Sequence, residues 1–110
     1  MFEKQSHEGY RFPLDGVAQK TLVHGEKSLM VEFVLQKNTV LPLHSHPHEQ
    51  TGYLVKGKIR LTIDSDCHTV MPGDSWCIPG SVVHSAEAIE DSVAIEVFSP
   101  VREDYLPKGA

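Results

Sequence analysis

The stretch His44-Ser45-His46-Pro47-His48-Glu49-Gln50, together with Pro79-Gly80-Ser81-Val82-Val83-His84, decides how this chain is read. On extended backbone, side chains two residues apart point to one face. His44 and His46 therefore present both imidazoles to the same side. Neutral imidazole is the commonest protein ligand for a transition metal. A third ligand just past the Pro47 bend and a fourth from a distant strand would form a half-closed cage. Its remaining positions would be open to water or substrate. Glu49 and Gln50 compete for the third place. Glu49 offers a carboxylate, and Gln50 the hard, neutral oxygen of an amide.

Working outward, the chain alternates between short patterned segments and turn residues. Leu29–Leu35 is apolar at every odd position, and Lys58–Ile63 places Lys58, Arg60 and Thr62 on one face. Val93–Phe98 alternates in part, and Val17–Val23, Gly52–Val55 and Ser75–Ile78 read as further strands. Asp64-Ser65-Asp66 and Met71-Pro72-Gly73-Asp74 read as turns. No long amphipathic helix is written anywhere. Strands at this spacing predict an antiparallel sandwich or small barrel. One domain over residues 1–110 is expected, with residues 1–13 as a loose arm or added edge strand and residues 99–110 as a tail.

Composition narrows the class further. Ten Lys and Arg against fifteen Asp and Glu give a net charge of −5, with no basic run, which argues against nucleic acid and anionic membranes. No apolar stretch nears transmembrane length and Met1–Tyr10 shows no signal-peptide pattern, so the cytoplasm is the default location. Cys67 and Cys77 are too few for a disulfide scaffold and are expected as reduced, partly buried thiols. His7, His24 and His68 are expected on the surface, and His48 is expected to point away from the metal into solvent. Trp76 and Tyr53 line the cavity or pack the core, with the core favoured for Trp76.

These motifs resemble those of the cupins, small double-stranded β-helix (jelly-roll) metalloproteins. The first cupin motif runs Gly, five residues, HxH, three or four residues, Glu, six residues, Gly. Here it reads Asn38, His44-x-His46, Gln50, Gly57. The second runs Gly, five residues, PxG, two residues, His, three residues, Asn. Here it reads Gly73, Pro79-x-Ser81, His84, Ala88. The resemblance implies an all-β cupin barrel and a divalent transition metal, with Ni, Mn, Fe, Zn and Co not distinguishable.

The tail Phe98-Ser99-Pro100-Val101-Arg102-Glu103-Asp104-Tyr105-Leu106 is similar to that of the single-domain cupins of pectin and alginate breakdown. Those proteins turn 4,5-unsaturated monouronates into linear keto sugars. The resemblance implies His44, His46, Gln50 and His84 as metal ligands. It also implies Glu96, Phe98 and Arg102 as active-site residues, with Glu96 standing where that group has Asp. A small carboxylate-bearing substrate and a homodimer follow from the same resemblance. Arg102 would grip the carboxylate in bidentate fashion, or else form a structural ion pair with Glu103, Asp104 or another acid.

One tension is visible in the sequence. Glu96 and Phe98 share one strand face, and Val93, Ile95 and Val97 share the other. Either the apolar odd face lines the barrel and Glu96 is solvated, or the even face lines the cavity and a neighbour covers the valines and isoleucine. The even-face reading agrees with the resemblance. Three functions remain open: an enzyme of sugar-acid catabolism, a metal-dependent dioxygenase, and a non-enzymatic metal or small-ligand binding module.

Overall fold

Short alternating segments that cannot bury a face alone pair with one another, and the turn residues between them set the corners. The computed structural model describes residues 1–107. Its strands are β1 (Arg11–Leu14), β2 (Val17–His24), β3 (Leu29–Leu35), β4 (Val40–His44), β5 (Glu49–Lys56), β6 (Ile59–Ile63), β7 (Asp66–Val70), β8 (Ser75–Ile78), β9 (His84–Ala88) and β10 (Ser92–Ser99). They form a six-stranded sheet in the order β1-β2-β3-β10-β5-β8 and a four-stranded sheet in the order β4-β9-β6-β7. The paired strands run antiparallel. The only helical element among the described residues is one 3-10 turn, Glu103–Tyr105. No helix among them is long and apolar enough to cross a membrane. The architecture is all-β with two antiparallel sheets, the sandwich or small barrel that the alternation and spacing predict and the jelly roll that the resemblance implies.

The core lies between the sheets, where Leu29, Val31, Leu54, Ile78 and Phe98 are at most 1% exposed. Along β10 the even positions Ser92, Ala94, Glu96 and Phe98 are buried, whereas Val93, Ile95 and Val97 are half-buried on the outer face. The tension in the sequence is thus resolved in favour of the even face. Apolar burial on the Phe98 side outweighs the cost of burying one carboxylate, because that carboxylate is hydrogen-bonded.

Local backbone explains the motif glycines. Gly57 sits between β5 and β6 at φ 95°, where a Cβ would lie 2.4 Å from the Asp91 carbonyl oxygen. Only glycine fits there. Asn38 and Ser81 stand where the cupin motifs carry glycine, and both also adopt positive φ, 71° and 67°.

The termini pack together. Arg11–Leu14 pairs with β2 as an edge strand. The Arg11 guanidinium donates to the carbonyls of Asp104 and Leu106, and the Thr21 hydroxyl donates to the Tyr105 carbonyl. The segment after β10 is thereby tied across the start of the six-stranded sheet. The end of the expected tail, residues 108–110, lies outside the described residues.

Two expectations are corrected. Cys67 and Cys77 are exposed, not partly buried. Both lie on strands at the edges of their sheets, β7 and β8, with side chains on the outer face. Tyr53 belongs to neither core nor cavity. It is half exposed on the outer face of β5, because its inward neighbours are Gly52 and Leu54.

Candidate metal centre

β4 ends at His44, and His46 follows in the connection to β5. The Ser81 amide donates to the His46 carbonyl at 2.7 Å, which fastens this connection to the Pro79–Ser81 corner. His84 opens β9 and pairs in register with His44 on β4. Residues 40 positions apart are therefore neighbours on one sheet. One ring nitrogen from each of His44, His46 and His84 lies within 4.8 Å of the others. Ring centroids are 4.2 Å apart for His44 and His84, and 5.0 Å apart for His46 and His84.

The tautomers follow from the backbone. Nδ1 of His44 meets the Pro42 carbonyl at 2.7 Å, Nδ1 of His46 meets the His48 carbonyl at 3.0 Å, and Nδ1 of His84 meets the Val82 carbonyl at 2.9 Å. A carbonyl only accepts, so each Nδ1 carries the hydrogen and donates it. Each Nε2 is left with a bare lone pair. His84 Nε2 is buried and has no hydrogen-bond partner among the described residues. Burial, the leading cause, holds the pKa of both His46 and His84 below 6.5, with the Arg102 cation acting in the same direction. Neutral rings are the metal-binding form.

Gln50 is buried on the inner face of β5. Its Nε2 donates to Glu96 Oε1, which turns its own Oε1 toward His46 Nε2 at 3.0 Å. With Nδ1 protonated, that contact brings two acceptors face to face. Two lone pairs at this distance repel unless a cation sits between or beside them. The orphaned His84 nitrogen and the opposed Gln50 oxygen are what a divalent ion would satisfy, so the residues present fit such a metal. Glu49 is exposed, and His48 stands outside the imidazole cluster. His48 does not project into solvent as expected. It is half-buried beside His46, with ring centroids 5.7 Å apart. His7, His24 and His68 are exposed.

Glu96 is 9% exposed on β10 and accepts a second hydrogen bond, from Trp76 Nε1 at 3.0 Å. Burial pushes its carboxyl well above the usual carboxylate range, and the Gln50 and Trp76 donors oppose that shift. Trp76 packs against the core, as favoured, and also lines the cavity, where its indole nitrogen bonds Glu96. Gly52 makes this possible. It pairs in register with Trp76, and a Cβ there would meet the indole at 2.1 Å. A glycine inside a strand signals such a close approach, yet the partner 24 positions away is invisible to spacing alone.

Phe98 packs edge-on to His46, with centroids 5.7 Å apart. Arg102 lies over the rings of Tyr105 and Phe98, 3.9 and 5.1 Å from their centroids. Its fork is engaged by Asp104, with Nε to Oδ1 at 3.2 Å and Nη2 to Oδ2 at 2.8 Å. The structure thus gathers His44, Gln50, His84, Glu96, Phe98 and Arg102 on one cavity of about 330 Å³, with His46 against Phe98.

Comparison with known proteins agrees with this geometry. The chain is 28% identical over 94 residues to the pectin degradation protein KdgF of Dickeya dadantii (strain 3937), covering 84% of this chain and 86% of that protein. The structure of KdgF from Halomonas sp. superimposes with a TM-score of 0.91 at 29% identity, covering 96% of this chain and 98% of the other. An RmlC-like cupin from Shewanella frigidimarina NCIMB 400 shares the fold with a TM-score of 0.90 at 24% identity, covering 96% of both chains. The cupin domain pattern matches residues 31–99, which run from β3 to the end of β10 and carry all three clustered histidines. The chain belongs to the cupin family.

Proposed function

We propose that the chain is a metal-dependent enzyme of sugar-acid breakdown that converts a 4,5-unsaturated monouronate to its linear keto form. His44, His46, Gln50 and His84 would hold the ion, which when bound supplies Lewis-acid polarisation of a substrate oxygen. The observation that carries this reading is the bonded set Gln50–Glu96–Trp76 lying against the clustered nitrogens of His44, His46 and His84. It sets a buried carboxyl, whose pKa burial raises, beside a cluster of bare imidazole nitrogens. The likeness to the KdgF proteins supports the choice of substrate class.

The reaction is an isomerisation with no net redox. The hydroxyl on carbon 1 loses its proton, the bond from carbon 1 to the ring oxygen breaks, and an aldehyde forms. The released enol takes a proton at carbon 4 and becomes a ketone at carbon 5. Glu96 is the group placed to hold and move that proton. Burial raises its pKa from the ordinary carboxylate value, the direction that suits a group that must hold a proton before giving it up. Arg102 would bind the substrate carboxylate once its fork leaves Asp104, because guanidinium matches a carboxylate in bidentate fashion. Phe98 is the apolar wall between Arg102 and His46.

The test is direct. Protein loaded with Ni, Mn, Fe, Zn or Co should remove the enol-ether absorbance of unsaturated galacturonate faster than buffer, with no oxygen consumed. A rate equal to buffer with every metal contradicts the proposal, and oxygen uptake favours a dioxygenase.

The outer face of the six-stranded sheet supports a homodimer. Met30, Tyr53 and Val55 are exposed there beside the half-buried Ile95 and Val97. Ile95 pairs with Tyr53 and Val97 with Met30, so these side chains form one apolar strip. A second copy would cover it. Sedimentation should give twice the chain mass, and Tyr53→Glu should halve it.

A further inference from the structure

We propose that Gln19 is a substrate-recognition residue that reads the hydroxyl groups of the sugar acid at the edge opposite its carboxylate. The inference rests on the sugar-acid reading above and adds a contact on the same sheet, two strands away from Glu96. Gln19 lies on the inner face of β2 and is only 5% exposed. It lines the cavity that also holds Gln50, His84 and Glu96. Among the described residues its side-chain amide makes no hydrogen bond, whereas the other two buried polar groups of this wall, Gln50 and Glu96, are bonded to each other.

Its surroundings sharpen the point. Gln19 pairs in register with Phe33, and Phe33 with Ala94, so its inward row is otherwise apolar. Val17 lies two positions before it on the same face and is 1% exposed. A leucine or methionine would suit such a row better than an amide. Among the described residues the fully buried polar atoms without a partner belong to His48 and His84 and not to Gln19, so its amide opens onto the cavity and is free to bond what enters. It offers one acceptor oxygen and two donor hydrogens, a match for adjacent hydroxyls.

The spacing suits one small ligand. Going from Phe98 to Ala94 along β10, the inward rows carry first Phe98 and Gln50, then Glu96, then Ala94 with Phe33 and Gln19. β2 and β10 are two strand spacings apart, roughly 10 Å between backbones. A six-membered sugar acid lying over this sheet is of a size to reach from one strand to the other. With the carboxylate at Arg102, its hydroxyls on carbons 2 and 3 face Gln19.

The experiment compares two probes on metal-loaded protein by calorimetry: galacturonate, and cyclohexanecarboxylate, which keeps the ring and carboxylate but has no hydroxyls. Wild type should bind galacturonate the more tightly. Gln19→Met, nearly isosteric, and Gln19→Ala should each lose roughly 10- to 100-fold in galacturonate affinity. Neither should bind cyclohexanecarboxylate less tightly, and metal content should stay at the wild-type level. Variants that bind galacturonate as wild type does, or a wild type that binds both probes equally, overturn this inference and leave the sugar-acid reading standing. A wild type that neither binds galacturonate nor converts the unsaturated sugar removes that reading itself, and this one with it.

Discussion

Trp76 reaches Glu96 across a gap that exists only because residue 52 has no side chain: Nε1 donates to Oε1 at 3.0 Å, through space a Cβ on Gly52 would occupy. A donor to the carboxylate favours its charged form. Trp76→Phe keeps most of the packing and removes the donor, so the Glu96 pKa should rise further. Carbon-13 NMR titration of the metal-free protein reads this directly, and an unchanged or lowered value contradicts it. Gly52→Ala should expel the indole and cost about 1–3 kcal/mol of stability, measured by chemical denaturation.

Replacing Glu96 by Gln separates stability from chemistry. The amide oxygen can still accept from Trp76, while the buried charge is gone. Glu96 has a folded pKa raised above its ordinary 4.5. Its favourable contribution is therefore complete below pH 4.5 and is lost as pH rises through the raised value. The variant escapes that loss. Its melting temperature relative to wild type should grow from pH 4.5 to pH 7.5, while turnover falls by roughly 100-fold or more. A stability gap independent of pH would show that the carboxyl is not perturbed.

Acid should release the metal in a defined window. The pKa values of His46 and His84 are held below 6.5 by burial. Protons then compete with the ion only once pH falls below 6.5 and approaches the lowered values. The metal-free fold also loses stability over that window, because the unfolded chain binds the protons that these buried rings resist. Nickel affinity measured calorimetrically should be nearly flat from pH 7.5 to 6.5 and fall steeply below. A steep fall already above 6.5 contradicts the assignment.

Ser81 is a correctable strain. It holds φ at 67° with a Cβ, at the position where the cupin motif carries glycine, and its amide anchors the His46 carbonyl. Ser81→Gly should raise stability by about 0.5–1 kcal/mol without altering metal binding. Urea denaturation checks this, and a destabilised variant would mean that the serine side chain contributes more than its backbone costs.

How legible each part was depends on where its signal lies. The HxH pair and the second motif are local and needed no structure. The inward face of β10 was a choice of two, settled only by packing. β7 was not foreseen, because Asp66–Thr69 is exposed throughout an edge strand and shows no alternation. β9 was missed because His-Ser-Ala-Glu-Ala lacks β-branched residues, its small side chains leaving room for the cavity. The Trp76–Glu96 bond and the lone Gln19 amide depend on contacts between strands distant in sequence, which no periodicity records.

The central claim is that His44, His46, Gln50 and His84 bind one divalent ion together. Elemental analysis after equilibration with manganese or nickel and exhaustive dialysis tests it most directly. One ion per wild-type chain, and almost none in His84→Ala, is the expected result. A wild type without bound metal, or a His84→Ala variant that retains a full equivalent, would contradict it.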